Sequence, residues 1–170
     1  MRREDLAKKL FDERLVRVGK KGNFYINFYW LAQREQLHQE FVSNLADSLY
    51  LIKNQHDRKL DVIFNMPECK NLIAILAKEV DIGRYTKFYS RYGCINGFFR
   101  DSDYAMVSGC ISGGSILRVA DTLMQNRNTH IRYGLYFVDL QNWSESLRNM
   151  PVKIYSTLTK ADLEKALQNK

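Results

Sequence analysis

The chain has 170 residues, 45% of them hydrophobic and 26% charged, which suits one domain with a full core and excludes a disordered or fibrous chain. Its net charge of +7 favours anionic partners such as phosphorylated metabolites, nucleic acid or an acidic surface, although many basic domains bind none of them. No apolar stretch approaches the ~18 residues of a membrane span, and the charged start Met1-Arg2-Arg3-Glu4-Asp5 lacks the apolar core of a signal peptide, so no membrane partner is expected.

Residues 5–13 read as a short amphipathic helix with Leu6, Leu10 and Phe11 on one face. Residues 15–29 read as two strands around a turn rich in Gly, Lys and Asn. Residues 33–53 carry Leu37, Phe41, Leu45, Leu49 and Ile52 at helical spacing. Leu60–Asn65 is a buried-type strand, followed by a loop at 66–70 and a helix at 71–80. Tyr85–Tyr89 is another strand, and residues 93–103 form a polar, glycine-containing loop or hairpin. The segment from Tyr104 starts as an apolar strand and passes through a small-residue loop, residues 108–115. It then enters an amphipathic helix with Leu117, Ala120, Leu123 and Met124 inward. Residues 131–138 and 152–156 are strands. The last helix opens with Thr159 as N-cap and Asp162 at the capping-box position, where Glu or Gln is usual.

Strands alternating with helices predict an α/β fold with a central, mainly parallel sheet flanked by helices. Ligands of such sheets bind beyond the carboxyl ends of the strands, where the loops at 65–70, 90–100 and 108–115 fall. The last loop exposes backbone N–H groups at a helix N-terminus, which suits a phosphate, yet it holds no acidic residue and no lysine. Ser112-Gly113-Gly114-Ser115 is therefore either an anion site or a strand-to-helix turn that uses glycine for geometry and serine as a cap. Cys69, Cys94 and Cys110 are odd in number and widely spaced, which argues against a disulfide framework and fits a reducing compartment such as the cytoplasm. Cys110 is either a reactive thiol near a helix N-terminus or a small buried apolar residue. His38, His56 and His130 show no zinc-ligand spacing and receive no role.

Taken in order, these segments resemble the type I phosphoribosyltransferases, and within them the orotate phosphoribosyltransferases. The likeness covers nearly the whole chain as one domain, with residues 1–30 as a small N-terminal hood and 31–170 as the core. It begins at Leu10-Phe11-Asp12-Glu13 and Val16-Arg17-Val18-Gly19-Lys20, similar to the family's hood over the pyrimidine. Thr86-Lys87-Phe88-Tyr89-Ser90-Arg91-Tyr92-Gly93 resembles the basic strand that leads into its mobile catalytic loop. Phe137-Val138-Asp139-Leu140 and residues 154–163 are similar to its C-terminal segments. The resemblance implies a homodimer, and a magnesium ion only if the protein is active.

The family's chemistry uses two adjacent acids for the ribose of phosphoribosyl pyrophosphate (PRPP), a small-residue loop for its 5′-phosphate, and a mobile lysine for the leaving pyrophosphate. Ser112, Gly113, Gly114 and Ser115 match the phosphate loop. Ser108 and Gly109 stand where the acids would be. Ser90 falls at the lysine position, with Lys87 and Arg91 nearby. The pyrophosphate loop, which includes Glu68, Cys69 and Lys70, lacks the usual glycine. On the base side Lys20, Phe24 and Tyr25 resemble the hood's lysine and aromatic pair. Lys20 and Lys21 are alternatively a solvated hairpin tip.

The resemblance with these departures implies a catalytically degenerate homologue that binds a phosphorylated small molecule or nucleotide in a binding or regulatory role. One alternative is an active transferase of pyrimidine nucleotide synthesis, with Asp101, Asp103 or Glu68 replacing the acids and Arg91 the lysine. Another is an RNA-binding module. It would use a basic rim of Lys70, Lys87, Arg91 and Arg100, with bases stacked on Phe88, Tyr89, Tyr92, Phe98 or Phe99. Those charges are alternatively scattered surface residues, and those aromatics core.

Overall fold

A run of nine residues from Asp103 to Ile111 forms the central strand, and all but Cys110 are buried. The computed structural model describes residues 1–56, 59–65, 76, 80, 84–89, 92, 94–97, 102–111, 114–125 and 128–169. In chain order the elements are α1 (Arg3–Asp12), β1 (Val16–Val18), β2 (Phe24–Ile26), α2 (Phe28–Leu31), α3 (Glu35–Gln55), β3 (Leu60–Asn65), β4 (Tyr85–Tyr89) and β5 (Cys94–Asn96). There follow β6 (Asp103–Ile111), α4 (Ser115–Gln125), β7 (Ile131–Asp139), α5 (Glu145–Arg148), β8 (Lys153–Thr159) and α6 (Lys160–Gln168).

Six strands form one sheet in the order β5-β4-β3-β6-β7-β8, and β1 pairs with β2 in a small separate ribbon. Neighbours in the large sheet are parallel except β4 and β5, which are antiparallel. The period-2 alternation of β6 distributes its side chains between two cores. Ala105 and Val107 join Leu45, Leu49 and Leu163 on the face covered by α1, α3 and α6. Tyr104 and Met106 join Leu117, Ala120 and Met124 of α4 on the other face. The helical spacing of Leu37, Phe41, Leu45, Leu49 and Ile52 buries all five residues. The capping box of α6 is present, with Thr159 Oγ1 and the Asp162 carboxylate satisfying each other's backbone N–H groups.

Three points of the sequence reading need correction, and one open alternative, loop or hairpin at 93–103, is decided. The second hood strand stops at Ile26, because the Asn27 side chain accepts from Trp30 N at 3.1 Å and caps α2, so Phe28 and Tyr29 are helical. The 93–103 excursion is a hairpin whose return strand is β5. Central strand β6 continues through Ile111, so Ser108, Gly109 and Cys110 belong to a ladder and not to a loop. Leu123 is only half-buried on α4. Of the helix expected at 71–80, only Leu76 and Val80 are described, both helical and buried.

The amino ends of the strands are tied by charge. The Arg84 guanidinium, just before β4, forks onto the buried Asp61 carboxylate of β3, with Nε to Oδ1 at 2.9 Å and Nη2 on Oδ2. Nη2 also donates to Ser102 Oγ at 2.7 Å, so the fork ties the approach to β6 as well. Asp103 lies 3.2 Å from His56 Nε2 and 3.5 Å from Arg132 Nε. Arg84→Met strands the Asp61 carboxylate. It is expected to lower unfolding free energy by about 2–3 kcal/mol in urea titrations, short of the ~3–5 kcal/mol of a fully buried pair because Arg84 keeps 31% side-chain exposure.

Candidate functional site at the carboxyl end of the sheet

At the carboxyl end of β7 the chain turns sharply. Leu140 N donates to Ile111 O at 2.9 Å, which ties the ends of β6 and β7 together. The Asp139 carboxylate accepts from Gln141 N at 2.7 Å and from Trp143 Nε1 at 2.8 Å. This holds Gln141 in the left-handed region, with φ of 54°. Gly114, at the entry to α4, has φ of +76°, and a Cβ there would meet Leu147 at 2.3 Å. Glycine is therefore required by both the turn and the packing of α5.

Between these strand ends and the hood lies a cleft of about 490 Å³. Tyr25 and Phe28 line its hood side, Cys110, Gln141 and Asn142 the sheet side, and Lys160, whose ammonium lies 3.4 Å from Glu164 on the same helix, lines it from the start of α6. Phe24 also reaches the cleft but is mostly buried, its ring edge-on to Phe11 at 6.2 Å between centroids. Lys20 and Lys21 sit on the exposed turn between β1 and β2 and line none of this cleft.

Ser108 and Gly109, which the resemblance sets at the positions of the ribose acids, are occupied in a particular way. Ser108 is buried, and its hydroxyl donates to Asn65 O at 3.1 Å on the neighbouring strand. Gly109 lies under the Phe28 ring, three atoms of which stand 3.0–3.1 Å from where a Cβ would be. The ring in turn packs 6.1 Å from that of Phe137. A side chain at 109 would have to displace Phe28.

Burial pushes the Cys110 thiol up to about 12, with the Asp139 charge adding to the effect. The same two causes push the Tyr136 hydroxyl up. Cys110 is thus a neutral, strand-borne thiol and not an activated one.

Asp103, offered by sequence as a substitute acid, is at the opposite end of β6. It sits about 25 Å from Ile111 by strand rise, engaged with His56 and Arg132. It cannot serve this cleft. Lys87 is exposed on β4, and Phe88 beside it is core. Ser115 is exposed at the first turn of α4. Ser112, Gly113, Ser90, Arg91, Glu68, Cys69, Lys70, Arg100, Asp101, Phe98 and Phe99 lie outside the described residues. Among the described residues no three His, Cys, Asp or Glu side chains gather to hold a metal. Neither Ser108 nor Gly109 offers a carboxylate oxygen, and Asp139 Oδ1 already accepts two hydrogen bonds. The described residues here do not fit a magnesium ion carried on a ribose diphosphate.

Neither a protein-family model nor a curated protein sequence matches the chain. Solved structures do. The orotate phosphoribosyltransferase of Aeropyrum pernix aligns with a TM-score of 0.71 at 19% identity, over 94% of this chain and 98% of that one. The UMP synthase of Leishmania donovani aligns at 0.72 and 17% identity over 98% of this chain but only 38% of that one, so this chain spans well under half its length. An adenine phosphoribosyltransferase from Thermoanaerobacter pseudethanolicus aligns at 0.64 and 12% identity, over 86% of this chain and 96% of that one. The chain has the type I phosphoribosyltransferase fold.

On this phosphoribosyltransferase fold, sequence reasoning overlooked Phe28, Gln141, Asn142 and Lys160. The amide pair was detectable, since it directly follows a parallel strand on the ligand-binding edge. Phe28 was not, because its placement depends on the cap at Asn27.

Two expectations follow. Gly109→Ala should cost about 1–3 kcal/mol by overpacking against Phe28. In a double-mutant cycle with Phe28→Ala that cost should shrink, with a coupling of about 0.5–2 kcal/mol in denaturant melts. Iodoacetamide should label exposed Cys94 far faster than Cys110 at neutral pH. Labelling of Cys110, followed by peptide mass spectrometry, should rise about tenfold per pH unit from pH ~8 to ~11 as its thiolate fraction grows.

Proposed function

We propose that this protein binds a phosphorylated small molecule or nucleotide in the hood-side cleft and does so without phosphoribosyl transfer, in a binding or regulatory role. Residues 1–170 act as one domain in this reading. The observation that carries it is the pairing of an open cleft with a blocked ribose position. Lys160 and the Asn142 amide face a volume of about 490 Å³, while Phe28 covers Gly109 and Ser108 is tied to Asn65.

The chemistry supports binding over turnover. A phosphate needs a cation and N–H donors, and Lys160 with the Gln141 and Asn142 amides offers both kinds along the cleft. The Tyr25 and Phe28 rings offer apolar faces to a base. Transfer needs more: charge placed where the ribosyl cation and leaving pyrophosphate develop, with each such contact worth ~3–4 kcal/mol. Neither position 108 nor 109 carries a charge for that purpose.

Calorimetric titration with orotidine monophosphate, orotate and PRPP, with and without magnesium, tests the proposal. The expected result is nucleotide binding that needs no magnesium and weakens about tenfold in Lys160→Ala, the loss of one charge-assisted contact. Release of pyrophosphate from PRPP and orotate at about 1 per second or faster would overturn it in favour of an active transferase.

A further inference from the structure

Outside the cleft, the hood carries an exposed aromatic surface that nothing in the structure covers among the described residues. Tyr25, Tyr29 and Trp30 are 61%, 58% and 51% exposed. They border an open groove of about 730 Å³ that also receives Arg14, Arg17 and Arg34, against a single acid, Glu13.

The groove is built, not incidental. Arg17 and Tyr25 are directly opposed across the β1–β2 ribbon, so their side chains share a face. The Cε2–Cδ2 edge of Tyr25 packs on Gly19, where a Cβ would stand 2.5 Å from the ring. Tyr29 and Trp30 meet edge to face with centroids 5.9 Å apart, on the short helix that Asn27 caps. Glu13 is already engaged by Arg34 at 3.0 Å, which leaves the groove's net field positive.

We propose that this groove binds single-stranded nucleic acid, with bases stacking on Trp30, Tyr29 and Tyr25 and the phosphate backbone following Arg17 and Arg14. Aromatic faces interleaved with arginines are the physical requirement for sequence-tolerant single-strand binding. A second copy of this chain fits less well. A two-fold interface opposes the same patch to itself and brings these arginines face to face, in a chain whose net charge is already +7. The surface is separate from the basic rim anticipated on β4, of which only Lys87 is described. It shares just Tyr25, Ile26 and Phe28 with the cleft.

The test uses fluorescein-labelled oligouridylate and oligothymidylate of about 12 nucleotides, a length that suits a single-strand site. Binding is read by anisotropy on the full chain and by quenching of Trp30 in Trp143→Phe, which leaves Trp30 as the one tryptophan. Stacking predicts quenching and a loss of about tenfold in affinity for Trp30→Ala. Two phosphate contacts predict a fall of about sevenfold between ~50 and ~200 mM salt, shallower in Arg17→Ala. Circular dichroism establishes that the variants fold.

Four outcomes would overturn the proposal. They are no binding at ~50 mM salt, equal affinity for a duplex of the same sequence, unchanged affinity in the Trp30→Ala/Arg17→Ala double variant, and a dimer that Trp30→Ala dissolves. Failure here is distinguishable from failure of the cleft reading. Lys160→Ala should weaken mononucleotide and spare the oligonucleotide, whereas Trp30→Ala should do the reverse.

Discussion

The rest of the molecule is arranged around the burial of one strand on both faces. Asp103–Ile111 sits third from the β8 edge with parallel partners on either side, and its side chains alternate between two cores. A strand so placed leaves room for polar groups only at its ends. At the amino end, Asp103 is met by His56 and Arg132, while Asp61 of the neighbouring strand is met by Arg84. These buried carboxylates are compensated, and they close that edge of the sheet. At the carboxyl end the corresponding groups are a serine, a glycine and a cysteine. None is charged. The two ends therefore differ in chemistry before any ligand is considered.

That difference makes the hood important. A glycine on a buried strand leaves a gap that a neighbour must fill, because voids forfeit dispersion contacts. Phe28 fills it, anchored beneath by Phe137 and positioned above by the Asn27 cap. The same ring becomes one wall of the cleft. A single packing interaction thus sets the depth of the cleft and seals the position beside Ser108. His38, buried edge-on against Phe137, is part of the same stack, and burial holds its imidazole below the usual histidine range.

Much of this was legible in the residues. Leucines and phenylalanines at three- and four-residue spacing located α3, and the apolar runs located β3 and β7, because burial on one face or both leaves a periodic signature. Thr159 and Asp162 located the start of α6 through local hydrogen bonding alone. What could not be read depended on contacts between distant segments. Phe28 continues an apolar run that looks like strand, and only Asn27's bond to Trp30 N turns it into helix. Ser108 and Gly109 look like loop by composition, yet ladder pairing with β7 keeps them extended. Asp103 reads as a substitute acid by residue type, yet its place at the amino end of β6, against His56 and Arg132, puts it at the edge away from the cleft. Lys160 reads as an ordinary first-turn lysine until the fold brings β2 beside it.

The hood presents two aromatic faces, and their surroundings assign them different work. Toward the sheet, Phe28 and Tyr25 border a cleft whose polar groups are amides and one lysine, suited to enclosing a small ligand. Away from it, Tyr29, Trp30 and the outer edge of Tyr25 border arginines that leave their rings open to solvent. Covering such area is worth about 25 cal/mol per Å², which a partner seated on it could recover. Folding alone does not require this arrangement: α2 could be anchored by Leu31, which is fully buried, with polar residues at 29 and 30. On the reading proposed above, those rings stay exposed for a partner outside the chain, and the arginines beside them favour one that carries both π-faces and negative charge.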